Sequence, residues 1–132
     1  MALGLATTLR SNRAQEIVDY AGANAFIRIY DGSRPATGAS ITTQNLLAEL
    51  TCAATLGTVS NGVLTFNTIT QDPTANNTGT ASWFRIVRSD GTTFCVDGSA
   101  GTSGSDMNLV STSIVSGTPV QITSGTFTEG GA

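Results

Sequence analysis

The chain has 132 residues, a length that fits one domain able to bury its own core. Charged residues make up only 11%, against roughly 25% in an ordinary soluble domain, and small neutral polar side chains take their place: 15 Gly, 22 Thr and 13 Ser. The net charge of -3 lacks the basic excess of a nucleic-acid binder, no apolar run reaches the roughly 18 residues of a membrane helix, and the absence of His and Lys removes Ser-His-Asp, Cys-His and Ser-Lys catalysis, P-loops and His-Cys zinc sites.

One domain is expected over residues 1–132, divided into an extended arm (1–10), a helix (11–22) and a β-sandwich (25–128). Met1-Ala2-Leu3-Gly4-Leu5 lacks the charged start and long apolar stretch of a signal peptide, so folding in the cytosol is expected. Leu3, Leu5 and Leu9 give the arm apolar contacts. Asn12 is a candidate N-cap with Gln15 three residues on, which predicts a helix starting near residue 8 or 11 and ending at 21. Ala14, Ile17, Val18 and Ala21 share one helical face, and Gly22 can stop the helix.

The remainder reads as strands and turns. Ala25 to Tyr30 is a strand, closed by Asp31-Gly32-Ser33 and Pro35, and Leu46 to Cys52 is a second. Asn61-Gly62 between Val59 and Val63-Leu64-Thr65-Phe66 predicts a two-residue hairpin, because both turn positions need positive φ. Gln71 to Thr78 reads as a surface loop. Along Thr80 to Arg88, Phe84 and Ile86 point one way and Trp83 and Val87 the other, so both faces are expected to be covered. Asp90-Gly91 turns the chain into Thr93-Phe94-Cys95-Val96, followed by a glycine-rich loop from Gly98 to Ser105. Val120 and Ile122 share a phase that Phe127 breaks, and a bulge near Ser124-Gly125 would restore it. Seven or eight short strands at this spacing predict a mainly β fold: an antiparallel β-sandwich, with a jelly roll as one form of it, plus one short N-terminal helix and an N-terminal arm. Cys52 and Cys95 fall on separate strands and are expected as free thiols in a reducing cytosol.

Few residues offer chemistry. Asp97 and Asp106 flank the glycine-rich loop, with Asp31 as a candidate neighbour, and are the candidate carboxylates for glycosidase-type catalysis or for Ca²⁺. The simpler reading is that Asp begins turns and caps loops. Gly98, Gly101 and Gly104 would cradle a phosphate only with a helix behind them, and a strand is expected there. No catalytic residue, cofactor or metal is therefore assigned. All six cations are Arg, the cation enriched where proteins meet, whereas Lys is depleted there. Arg10 and Arg13 are candidates to clamp carboxylates on a neighbouring subunit, with a solvated pair partly neutralised by Glu16 and Asp19 as the equal alternative. Arg85 and Arg88 are weaker candidates, with simple solvation as the alternative. Tyr20 is a candidate interface anchor, and Trp83 a core residue or an anchor.

Several stretches together resemble a group of small tailed-phage and prophage virion proteins. They are Thr7-Thr8-Leu9-Arg10-Ser11-Asn12-Arg13-Ala14, Ile27 to Pro35, Leu47-Ala48-Glu49-Leu50, Gly62 to Phe66, Ala81-Ser82-Trp83-Phe84-Arg85-Ile86, Asp106-Met107-Asn108-Leu109 and Ile122 to Thr128. The resemblance spans almost the whole chain and is one of strands and turns, with no catalytic signature. Proteins of this kind are similar to head decoration, or cement, proteins. The resemblance implies a non-enzymatic β-rich protein that binds the major capsid protein on the outside of the virion, assembles as a dimer or trimer, and is made in the bacterial host cytoplasm. Tail, neck or head-fibre-base placement is the alternative within the virion. A carbohydrate-binding sandwich using Trp83 and Tyr30 is a further alternative. The expected contact residues are Leu3, Leu5, Leu9, Arg10, Arg13, Tyr20, Arg85 and Arg88, with no nucleic-acid or membrane partner.

Overall fold

The structure is a computed structural model that describes residues 3–130; the first two residues of the expected arm lie outside the described residues. One helix, α1 (Thr7–Ala21), precedes ten strands: β1 (Phe26–Tyr30), β2 (Leu46–Thr51), β3 (Gly57–Ser60), β4 (Val63–Phe66), β5 (Gly79–Thr80), β6 (Trp83–Val87), β7 (Phe94–Gly101), β8 (Met107–Leu109), β9 (Ser113–Ile114) and β10 (Ile122–Thr128). The mainly β, sandwich-like fold stands as expected. Its sheets are joined differently from a simple pair. Eight strands form one curled sheet in the order β2-β1-β6-β7-β8-β10-β4-β3, and β5-β9 form a separate ribbon.

The curl brings the two halves of the sheet face to face. Ile27, Ile29, Leu50, Phe84 and Ile86 from one half share a core with Leu64, Met107 and Leu109 from the other. Phe127 links them, edge-on to Phe66 and parallel to Phe84 at 6.0 Å. α1 lies beside β3, β4 and β7 and lays Ala14, Val18 and Ala21 into the same core. The chain leaving β4 runs back along the β2 edge: Thr51 at the end of β2 bridges Thr70, and Asp72 bridges Val120. The segment expected as a surface loop is exposed at most of its positions and also forms a seam. The buried Asp72 carboxylate accepts the Glu49 and Thr74 N–H groups at 2.9 and 3.0 Å, and Asn76 donates to the Leu47 carbonyl. The outer edge of β2 is covered by its own chain.

Several local expectations hold. Asn61 and Gly62 turn β3 into β4 at φ 52° and 76°. Asp90 accepts the Thr92 and Thr93 N–H groups and the Thr93 hydroxyl at its turn. β10 slips register between Ile122 and Ser124, which is the bulge its sequence phase requires. β6 is buried at every position, so both its faces are covered.

Three expectations are corrected. The helix begins at Thr7, so residues 7–10 belong to it and, of the described part of the arm, residues 3–6 lie outside an element; Asn12 is interior and exposed, and Ala6 at the N-cap makes no side-chain bond. Burial of Arg10 and Ala14 against the sheet, rather than a cap, fixes the first turns. The glycine-rich loop begins later than expected, because β7 runs through Gly98 to Gly101. A Cβ on Gly98 would lie 2.6 Å from the Phe84 ring, so this glycine permits a close approach within the sheet. Not every pairing is antiparallel either: Ala100 and Gly101 pair in parallel with Met107 and Asn108. Parallel neighbours usually need a crossover of a dozen residues. Here only two residues pair, and Asp106 pins the tight return by accepting the Ser99 N–H and hydroxyl.

Candidate interaction surface

The charged side chains fall into two groups, those used inside the chain and those turned outward. Arg85 and Asp97 sit opposite each other on β6 and β7. The guanidinium grips the carboxylate with two bonds, Nε to Oδ1 at 2.6 Å and Nη2 to Oδ2 at 3.0 Å. Its third arm donates to the Ala39 carbonyl, and the Gly38 N–H donates to Asp97. Trp83 and Phe94 flank the guanidinium at 5.4 and 5.3 Å. Tyr30 stacks on Trp83 at 4.5 Å, and the indole N–H donates to the Asp31 carbonyl. Asp31 accepts the Asn45 N–H and side-chain amide, which hold its carboxyl below the usual carboxylate range. The 31–45 loop is thus clamped over the outer face of β1, β6 and β7.

This arrangement moves Arg85 from the expected contact surface to the interior: it is buried, and its partner's side chain is 0% exposed. Trp83 is a core residue, and the Trp83–Tyr30 pair needed for sugar stacking is buried with the two ring faces turned on each other. A cleft of about 260 Å³ beside α1 is bordered by both Asp97 and Asp106. Their carboxylates are engaged by Arg85 and Gly38 on one side and by Ser99 on the other. Among the described residues no three His, Cys, Asp or Glu side chains gather where they could hold a metal ion.

The remaining candidates gather at the N-terminal side. Leu3 is 63% exposed and precedes α1, and Leu5 is half-buried. Leu9 and Tyr20 are each 47% exposed. Arg13 is exposed and reaches Glu129 on the chain that leaves β10, at 3.4 Å. Arg88 lies over the Tyr20 ring at 5.7 Å and braces it from the end of β6. Arg10, by contrast, turns inward over the β3–β4 turn, where Nη1 would lie 2.7 Å from a Cβ on Gly62. It is 9% exposed, and its Nε finds no hydrogen-bond partner. Leu9, Arg13, Glu16 and Tyr20 are spaced i, i+4, i+7 and i+11, so they form one stripe along an exposed flank of α1, beside its buried face. Glu16 escaped notice in the sequence because it reads there only as a neutraliser of Arg13; the 4-3-4 spacing was the signal that would have found it.

No protein-family model, no curated protein and no solved structure matches the chain.

Proposed function

We propose that this protein is a virion structural protein of a tailed phage, a capsid decoration protein that binds and stabilises the assembled lattice of the major capsid protein. The observation that carries the reading is the apolar N-terminal side: Leu3 outside any element, then Leu9 and Tyr20 on an exposed flank of a helix anchored in the core. A rigid sheet body with its polar groups paired internally, bearing one such face, suits adhesion. The resemblance in the strand and turn segments supplies the virion context. A protein that binds only the assembled shell stabilises it by mass action, and symmetry repeats each contact many times.

Undecorated expanded capsids of the phage that encodes the chain, mixed with the purified protein, are expected to take it up in hundreds of copies and to gain resistance to heat. Failure to bind, or binding without a gain, overturns the reading. Recovery from virions at about a dozen copies or fewer replaces it with a tail or neck position.

A further inference from the structure

The stripe on α1 has an internal symmetry. Read from either end it runs apolar, charged, charged, apolar, with spacings of four, three and four residues. Its two central charges are opposite in sign. An antiparallel copy of the same helix therefore sets Leu9 against Tyr20 of the second copy and Arg13 against Glu16 of the second copy, each twice about one two-fold axis. An isologous contact requires this kind of self-complementarity.

The charge balance of the chain points the same way. Among the described residues, Glu16 is the one acidic side chain without a hydrogen bond or ion pair: Asp19 accepts from Gln15, Glu49 from Arg28, Glu129 meets Arg13, and every other Asp has donors of its own. Arg13 is still half-exposed beside Glu129 and has donors to spare. Leu9 and Tyr20, at the two ends of the stripe, are two of the few large apolar side chains left open to water. Arg88 already holds the Tyr20 ring in place, which lowers the ordering cost of a contact there.

We infer that the protein forms a homodimer through antiparallel pairing of α1, with Leu9, Arg13, Glu16 and Tyr20 as the contact stripe. The inference rests on the reading of this face as adhesive and divides it: the α1 stripe takes a second copy of the chain, and Leu3, 63% exposed ahead of the helix, is left to the capsid lattice.

Charge exchange tests it directly. Wild-type protein is expected to show a monomer–dimer equilibrium by sedimentation. Arg13→Glu alone sets four carboxylates across the axis, and Glu16→Arg alone sets four guanidiniums; each is expected to weaken dimerisation at least about ten-fold. The double variant Arg13→Glu/Glu16→Arg restores the pairing and the dimer. Mixing the two single variants yields a heterodimer, because each then supplies the charge the other lacks. All four positions are exposed, and an unchanged far-UV circular dichroism spectrum with a cooperative melt reports that the variants fold. A wild-type monomer at every concentration, or a dimer indifferent to the exchanges, overturns the inference. Capsid uptake separates the two readings: uptake of wild-type protein that sediments as a monomer leaves decoration standing and removes the dimer, while a charge-dependent dimer that ignores capsids does the reverse.

Discussion

Arg10 and Arg85 are both buried arginines, yet they stand in opposite situations. Arg85 has its carboxylate, a backbone carbonyl and two aromatic rings. Arg85→Met leaves the fully buried Asp97 carboxylate with only the Gly38 N–H, and is expected to cost about 3–5 kcal/mol in urea unfolding. Arg10 has an unpartnered Nε and no carboxylate among the described residues. Arg10→Met keeps the stem's packing and removes a desolvated charge, so the same measurement is expected to show unchanged or increased stability. The first pair was legible in principle: folding the chain at Asp90-Gly91 sets Arg85 opposite Asp97 as a cross-strand pair of opposite sign. The fate of Arg10 was not legible, because the partner it packs on lies more than fifty residues away in the β3–β4 turn. Cys52 carries a pH dependence of its own. Burial, with a smaller contribution from Cys95, pushes its thiol from 9.0 up to about 12. The folded chain keeps a proton that the unfolded chain releases. Stability from this group is therefore complete below about pH 9 and is lost as the pH climbs from there towards 12. At mildly alkaline pH Cys52 is expected to resist iodoacetamide until the protein is unfolded.

At the level of elements, the turns with a single backbone solution were the readable ones. Asn61-Gly62 closes β3–β4 because both residues adopt positive φ, and the glycine also lies under Arg10. Gly62→Ala, strained in its backbone and crowded by that guanidinium, is expected to lower stability by more than about 1 kcal/mol, read as a shift in the urea midpoint. The slip in β10 was readable for a related reason: Val120, Ile122 and Phe127 can face one core only if a residue bulges between them. The start of α1 was not readable, because Ala6 offers no cap and the first turns are set by what Arg10 and Ala14 bury. The reach of β7 was missed for the opposite reason. Glycines that look like loop residues serve at Gly98 to let the Phe84 ring approach the backbone.

For the molecule as a whole, periodicity and turn spacing carried the mainly β, sandwich-like class but not the joining of its halves. That joining depends on contacts with no local signature: the two-residue parallel step from β7 to β8, and the seam from Thr70 to Asn77. Asp72 is central to the seam, since its carboxylate occupies a β2 N–H while its backbone bridges Val120. Asp72→Ala strands the Glu49 N–H and is expected to cost about 1–3 kcal/mol in urea unfolding. Terminal strands of open sheets invite foreign chains to add themselves in register. In this molecule one terminus is laced shut by residues 70–77 and the other, β3, is four residues long and sits beside α1. The two terminal strands of the sheet therefore offer neighbouring copies no long backbone template on which to fuse into fibrils.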